Sequence, residues 1–241
     1  TVTFGAGGDV RCLQAHWARG AWAVVIATPQ GDVATQLHIA GRHNVTNALA
    51  AVACALAAGV PLAAMAQGLS DFVPVKGRSR AFSVHCAGRD ITVVDDTYNA
   101  NPDSMRAAID VLAELPGPQL LVLGDMGEVG DQGPRFHAEA GGQARAAGIS
   151  QLFALGPQSV HAAQAHGAAR HFSDMGALLG AVRQALPGVG SVLVKGSRFM
   201  AMEQVVEAIA AATQPHAEQQ EQQKQQQVPT PALEGHHGVN P

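Results

Sequence analysis

The chain has 241 residues, 47% of them hydrophobic, which is enough apolar material for one large domain or two small ones. Its formal charge is −4, and Lys and Arg are scattered along it, so it has no basic stripe for a nucleic-acid backbone. No uncharged apolar run reaches about 18 residues, the length a membrane helix needs. Residues 1–17 also lack the apolar core of a signal peptide. We therefore expect a globular protein that neither spans a membrane nor binds nucleic acid.

The amino-terminal third of the chain predicts a small sheet followed by two helices. Short β-like runs separated by Gly-rich turns lie at 21–28 and 33–39, and they are typical of the antiparallel edge of a larger sheet. Apolar residues then recur at helical spacing over 44–59, with Asn44 as the expected N-cap. A second helix is predicted over 62–72, after Pro61.

A charged, Gly-containing stretch at 73–80 predicts a hinge between domains, and strands alternate with helices beyond it. Strands are predicted at 91–94, 119–123, 151–155, 170–172 and 191–194. Helices are predicted at 103–115, 134–147, 158–166, 174–186 and 201–212. This alternation implies a doubly wound, mostly parallel α/β sheet, and the long apolar runs suit strands that are covered on both faces.

Two features of the sequence point away from metal and disulfide chemistry. Residues 214–241 consist mainly of Gln, Glu, Pro and His, which cannot form a packed core, so we expect a disordered tail. Nothing in that tail fixes the geometry of His236 and His237, and we expect no functional metal site there. The three cysteines lie far apart without metal-ligand spacing, and we interpret them as reduced, buried thiols of a cytosolic protein.

The first candidate site follows the predicted strand at 91–94, because ligands of a parallel α/β sheet gather at the carboxyl ends of its strands. The segment at 95–105, DDTYNANPDSM, is too polar for a buried strand end unless it binds something. A turn and helix start, with Pro102 in the first turn and Asp103 or Ser104 as the cap, explains only its second half. The residues left unexplained are Asp95, Asp96, Tyr98 and Asn99.

A second candidate is GRHNVTN at 41–47, where three polar side chains meet at the amino end of a helix. Asn44 alone would be only a cap. Asn47 lies three residues further along and shares its face of the helix, beside His43. Two amide side chains in this arrangement are suited to the edge of a flat heterocycle such as adenine.

A third candidate is VKGSRFMAME at 194–203, which follows the last predicted strand. Its Lys, Gly, Ser and Arg precede a helix and can hold an anionic group through charge and free backbone N–H groups. A solvated basic turn is the alternative interpretation.

Five segments in this order resemble the Mur ligase family. They are GRHNVTNALAA from residue 41, KGR at 76–78, DDTYNANPDSMRAAI from 95, LVLGDMGEVG at 121–130 with His137 after it, and LVKGSR at 193–198. Over residues 1–211 the chain is similar to the Mur ligases that add D-alanyl-D-alanine to UDP-N-acetylmuramoyl-tripeptide.

The resemblance implies a cytoplasmic, ATP-dependent amide ligase of peptidoglycan precursor synthesis, which uses Mg²⁺ and forms an acyl phosphate. It also implies that residues 1–77 are the carboxyl-terminal part of a central ATP-binding domain. Residues 78–213 would be the carboxyl-terminal Rossmann-like domain. The implied partners are small molecules: ATP, D-alanyl-D-alanine and the UDP-linked tripeptide.

The resemblance also implies roles for individual residues. Arg78 is the implied catalytic residue and reaches the γ-phosphate of ATP, while Asp96 binds the ribose or orients Arg78. The other implied ATP-binding residues are His43, Asn44 and Asn47. Those implied to line the cleft are Tyr98, Asn99 and Asn101. The candidates for the D-alanyl-D-alanine carboxylate are Lys195, Ser197 and Arg198.

The sequence departs from the family in one large respect. It contains no Gly-x-x-x-x-Gly-Lys-Ser/Thr loop to hold the nucleotide phosphates, and the family's magnesium-binding residues are missing with it. Because the chain opens on TVTFG without Met, we expect that an upstream part was removed. Because the phosphate-binding loop is missing, we expect the chain alone to be inactive. We also expect residues 1–77 to expose strand edges that favour self-association. The alternative is a non-catalytic module that binds nucleotide, dipeptide or other proteins.

Overall fold

The computed structural model describes residues 1–18 and 20–213, and its first unit is a three-stranded antiparallel sheet packed on two helices. The strands, in the order β1-β2-β3, are β1 (Arg11–Ala18), β2 (Ala21–Thr28) and β3 (Gly31–Leu37). The helices are α1 (Arg42–Ala57) and α2 (Leu62–Ser70). Buried apolar residues three or four positions apart pack one face of α1 on the sheet, and they are Val45, Leu49, Val52 and Leu56.

The second unit is a six-stranded sheet in the order β4-β5-β9-β6-β7-β8. Its strands are β4 (Arg80–Cys86), β5 (Arg89–Asp96), β6 (Gln119–Gly124), β7 (Gln151–Leu155), β8 (Ala169–Phe172) and β9 (Ser191–Lys195). Its helices are α3 (Pro102–Ala113), α4 (Gly133–Ala146), α5 (Val160–His166), α6 (Met175–Ala185) and α7 (Glu203–Thr213). Only β4 runs antiparallel to its neighbour among these pairs, so the predicted α/β class with a mostly parallel sheet is confirmed.

Each face of this sheet carries its own hydrophobic core, as the doubly wound prediction requires. Successive residues of a strand point to opposite faces, so Leu121 and Leu123 join a core with α3 and α4. Leu120 and Val122 join a second core with α6 and α7 on the other face. The strands are therefore buried on both sides, which explains their continuous apolar sequences.

Several local predictions were wrong. The edge strands β1 and β4 were not predicted, and the helix predicted to begin at Asn44 begins at Arg42, with Gly41 as its N-cap. The cap of α3 is neither Asp103 nor Ser104 but Asn101, as described below. The cysteines are unpaired as expected, but Cys12 and Cys54 are exposed and Cys86 is half-buried, so the prediction of buried thiols fails.

The two units touch each other beside the connecting segment. The Trp17 ring packs against the cores of both units, and Ala40 is fully buried between them. An isolated antiparallel bridge joins Ile39 to Arg80. The division at residues 77 and 78 stays a prediction, and the predicted tail at 214–241 lies outside the described residues. No helix in the described ranges combines the length and apolar character of a membrane span.

Candidate functional site

A cavity of about 500 Å³ lies between the two units, at the carboxyl ends of β5 and β9. It brings together eight of the eleven residues that the sequence nominated, and they are His43, Asn44, Arg78, Asp96, Tyr98, Asn99, Asn101 and Lys195. Residues that the sequence did not nominate complete the wall, among them Ser79 and Ser104. The position agrees with the general rule that open α/β sheets bind ligands outside the carboxyl ends of their strands.

Two adjacent carboxylates hold the backbone on either side of Arg78. The buried Asp95 accepts a hydrogen bond from the Gly77 N–H at 3.1 Å through one oxygen and from the Thr97 hydroxyl at 2.7 Å through the other. Asp96 accepts from the Ser79 N–H at 2.9 Å and from the Ser79 hydroxyl at 3.2 Å. The loop at 77–79 is therefore anchored at both ends, with Arg78 at its tip.

The same loop has an unusual backbone conformation. Gly77 has φ +81° and Ser79 has φ +50°, both in the left-handed region. The Gly77 carbonyl accepts a hydrogen bond from the Tyr98 N–H at 3.0 Å, which brings the two segments into close contact. A Cβ on residue 77 would lie only 2.8 Å from the Tyr98 nitrogen, so this position has no room for a side chain.

The Arg78 side chain is exposed and lies against an aromatic ring. Its guanidinium carbon is 4.1 Å from the centre of the Tyr98 ring, a favourable distance for a cation–π interaction. The guanidinium of Arg198 lies 6.0 Å from the same ring centre. The cavity thus contains a cation, Arg78, that stacks on a ring and has no carboxylate partner among the described ion pairs. This arrangement makes the cavity suited to an anionic ligand.

Lys195 contributes a buried ammonium group to the cavity wall. Its side chain is only 3% exposed, and its Nζ donates to the Asp96 carboxylate at 2.6 Å and to the Asn99 carbonyl at 2.8 Å. Asp96 and Lys195 are direct partners in the pairing of β5 with β9, which explains their proximity. The predicted contact of Lys195 with a substrate carboxylate stays a prediction.

Ser197 and Arg198 line a second cleft of about 410 Å³, which shares Tyr98 and Asn99 with the first. The buried Ser197 hydroxyl donates to the Ala100 carbonyl at 3.2 Å and accepts from the Gly127 N–H, so its hydrogen bonds are internal. Arg198 is exposed and lies 4.0 Å from Glu203. Of these two residues, only Arg198 presents a free polar group to a ligand.

The amide pair on α1 is only partly directed into the cavity. Asn44 lies in the first turn, where its Nδ2 donates to the Ala40 carbonyl at 2.7 Å and its Oδ1 accepts from Asn47 at 3.0 Å. Asn47 is exposed and does not line the cavity, whereas His43 and Asn44 do. Asn47 therefore reaches the cavity wall only through its hydrogen bond to Asn44, and its predicted contact with adenine stays a prediction.

Asn101 lines the cavity and also begins α3. Its side chain accepts from the Ser104 N–H at 2.8 Å, while the Ser104 hydroxyl accepts from the Asn101 N–H at 3.0 Å. This reciprocal arrangement is a capping box. The polar character of this part of the segment is therefore explained by the helix start, which the sequence had assigned to other residues.

Two buried polar residues beside the site were not nominated as site residues, although both lie in or next to the LVLGDMGEVG segment. His137 is fully buried; its Nε2 accepts from the Met126 N–H at 2.9 Å and its Nδ1–H donates to the Gly133 carbonyl at 2.7 Å. Burial lowers the pKa of His137, so the ring is neutral. Asp125 accepts from the Ser159 N–H at 2.7 Å at the start of α5. Both residues shape the loop after β6, and no group of three metal-binding side chains occurs within 1–18 and 20–213.

Comparison with known proteins gives a consistent result. The family model described as "Mur ligase, glutamate ligase domain" matches residues 79–198. The chain is 39% identical over 206 residues to the UDP-N-acetylmuramoyl-tripeptide--D-alanyl-D-alanine ligase of Escherichia coli (strain K12), covering 85% of this chain and 45% of that protein. For the Bacillus subtilis (strain 168) protein of the same name, the identity is 35%, covering 70% of this chain and 38% of that protein. A crystal structure of MurF from Acinetobacter baumannii is 34% identical and has a TM-score of 0.72, covering 87% of this chain and 46% of that one. The chain therefore spans less than half the length of these relatives.

Proposed function

Because the chain belongs to the Mur ligase family, we propose that it forms one half of the active site of an ATP-dependent ligase that adds D-alanyl-D-alanine to UDP-N-acetylmuramoyl-tripeptide. The observation that supports this most is the convergence of eight nominated residues on one cavity between the two units. The segments that carry them lie far apart in sequence, and a set of unrelated turns has no reason to meet around one space. We also propose that the protein acts in the cytoplasm, as its resemblance to the Mur ligases implies.

The proposed chemistry begins when a peptide carboxylate attacks the γ-phosphate of ATP and forms an acyl phosphate with release of ADP. The amine of the dipeptide then attacks the acyl carbon, and inorganic phosphate leaves as the amide bond forms. Arg78 is the residue of this chain that would stabilise the charge on the transferring phosphoryl group, since this reaction depends mainly on positioning and electrostatic stabilisation. Magnesium, when bound with the nucleotide, would neutralise phosphate charge.

The residues described here fit the nucleotide better than they fit the metal. The cavity offers an exposed cation at Arg78 and an exposed imidazole at His43, whereas both oxygens of Asp96 accept hydrogen bonds from Ser79 and Lys195. We therefore assign no magnesium ligand to this chain. The sequence also lacks a phosphate-binding loop, and we expect the chain alone to release no phosphate from ATP in the presence of both peptide substrates.

Calorimetric titration of the chain with ATP and with D-alanyl-D-alanine tests the proposal. We expect the Arg78→Ala variant to weaken ATP binding about tenfold, the loss of one hydrogen-bonded charge interaction. Arg80→Ala is the matched control, because Arg80 is also exposed and stacks on a ring, that of Phe82, but does not line the cavity. If neither ATP nor D-alanyl-D-alanine binds to the unmodified chain, the proposal of a binding function loses its support.

A non-catalytic interaction module is the second candidate, and one feature of the first sheet favours it. Strand β1 is a sheet edge whose residues are mostly exposed, including Leu13 with 49% of its surface accessible. Such an edge can pair with another strand, either in a second copy or in another protein. Gel filtration tests self-association: a monomer at all concentrations would exclude pairing of two copies through this edge.

A further inference from the structure

The position of Lys195 suggests a role other than contact with a substrate. An ammonium group that is 3% exposed and already donates to two internal acceptors has used two of its three N–H groups inside the protein. For Lys195 to bind a substrate carboxylate as its main partner, it would have to leave the Asp96 carboxylate beside it without a cation, with only the hydrogen bonds from Ser79. Removing one partner of a buried ion pair is strongly unfavourable.

The two acceptors of Lys195 belong to two different parts of the site. The Asp96 carboxylate also accepts from the Ser79 N–H at 2.9 Å and its hydroxyl at 3.2 Å, and so holds the loop that carries Arg78. The Asn99 carbonyl belongs to the loop that carries Tyr98. One ammonium therefore ties together the segment bearing the guanidinium and the segment bearing the ring on which it stacks.

We propose that Lys195 is a positioning residue, which fixes the Arg78 guanidinium over the Tyr98 ring and toward the cavity by holding both loops. The relevance of this positioning to phosphoryl transfer rests on the proposed function. The positioning itself does not depend on the proposed function, because every contact involved lies within this chain and needs no ligand. A freely moving Arg78 would have to be ordered when the anion binds, whereas a held one is ordered beforehand.

Nuclear magnetic resonance of the ligand-free chain tests the proposal directly, because Tyr98 is the only tyrosine. Selective isotope labelling of tyrosine gives one set of ring signals, and nuclear Overhauser contacts from that ring to the Arg78 side chain report the stacking at 4.1 Å. In Lys195→Met we expect these contacts to be lost and the ring signals to move toward those of free tyrosine. Lys76→Met is the control, since Lys76 also pairs with a carboxylate, Glu207 at 2.8 Å, but on the exposed surface.

A double variant separates positioning from general stability. Lys195→Met alone leaves the half-buried Asp96 carboxylate without its cation, so the variant is expected to melt at a lower temperature. Asp96→Asn combined with Lys195→Met removes both charges and is expected to recover much of that loss, yet the Asn99 carbonyl still has no donor. We therefore expect the Arg78 contacts of the Tyr98 ring to stay absent in the double variant.

Retention of those contacts in both Lys195 variants, or their equal loss in Lys76→Met, would overturn the proposal. Because no nucleotide is present, failure of this experiment is distinct from failure of the ATP titration. The positioning role can hold in a chain that does not bind ATP, and ATP can bind to a chain in which Lys195 positions nothing.

Discussion

Replacing Gly77 by Ala tests whether the loop that carries Arg78 depends on close contact with the Tyr98 segment. Gly77 has φ +81°, and a Cβ there would lie 2.8 Å from the Tyr98 nitrogen and 3.2 Å from the Thr97 hydroxyl oxygen. Gly88 provides a matched control, since it also has φ +81° but no atom lies within 4 Å of a Cβ built there. The difference between the two variants isolates the effect of crowding from the cost of the backbone conformation.

The magnitude follows from the hydrogen bonds at stake. Gly88→Ala is expected to cost ~1–2 kcal/mol, the penalty for an L-residue in the left-handed region. Gly77→Ala carries the same penalty, and the shift it forces also disrupts the Tyr98 N–H bond to the Gly77 carbonyl at 3.0 Å and the Gly77 N–H bond to Asp95 at 3.1 Å. One neutral and one charge-assisted hydrogen bond together add ~2–4 kcal/mol.

Urea unfolding followed by circular dichroism measures both free energies of unfolding under the same conditions. Gly77→Ala should unfold at a clearly lower urea concentration than Gly88→Ala. Equal midpoints and equal slopes for the two variants would refute the reasoning, because the space around the Cβ would then have no effect. Loss of ATP binding in Gly77→Ala but not in Gly88→Ala would further connect the loop geometry to the proposed function.

Three further predictions concern the rest of the second unit. Burial lowers the pKa of His137, so the stability that its neutral ring contributes is fully present above the unfolded pKa near 6.5 and is lost as the pH falls toward the folded pKa. His137→Gln should therefore flatten the decline in melting temperature over that pH range. His85→Gln, at an exposed site, should leave that decline unchanged. Asn101→Ala should destabilise the protein by ~1 kcal/mol in urea unfolding, whereas Asn101→Asp, which keeps the cap, should not. Gly141→Ala should lower the melting temperature sharply, because its Cβ would collide with a carbonyl of α5, while Gly142→Ala, with open space in the same helix, should stabilise the protein by ~1 kcal/mol; equal shifts would contradict the packing of α4 on α5.

The sequence predicted the second unit well because its signals are strong and local. The apolar run at 120–123 has no polar positions, unlike an amphipathic helix, and it is too short for a fully buried helix. It forms a buried strand in the structure. Strand β4 was missed for the opposite reason. It lies at the antiparallel edge of the sheet, next to a charged loop, and its two buried residues, Ala81 and Val84, are three positions apart. The sequence RAFSVHC therefore shows no regular alternation of apolar and polar residues over its whole length.

The first helix shows a second limit of prediction from sequence. Asn44 is a favoured capping residue, but the chain enters α1 through Gly41, whose φ of +96° no sequence pattern specifies. The Asn44 side chain instead donates back to the Ala40 carbonyl. A capping preference is worth only about 1 kcal/mol, so the path of the preceding chain decides where the helix begins.

The sequence predicted residues that line one cavity, but it could not tell which of their polar atoms are free. Lys195 and Ser197 were nominated as ligands for a carboxylate because a lysine and a serine after a strand are suited to an anion. In the structure, their partners come from loops about a hundred positions earlier, at Asn99 and Ala100. Only the assembled sheet places those carbonyls beside them, so their internal hydrogen bonds are a property of the tertiary structure.

The order of strands has a consequence for how the protein is made. Strand β9 is the last strand in the chain, yet it lies between β5 and β6 in the middle of the sheet. A nascent chain emerging from the ribosome therefore presents two separate blocks, β4-β5 and β6-β7-β8, each with an unpaired edge, until Ser191–Lys195 has been synthesised. The two strand ends that form the cavity come together only at that step, so a chain that stops before Ser191 exposes two aggregation-prone edges and lacks the part of the cavity wall that Leu193 and Lys195 supply.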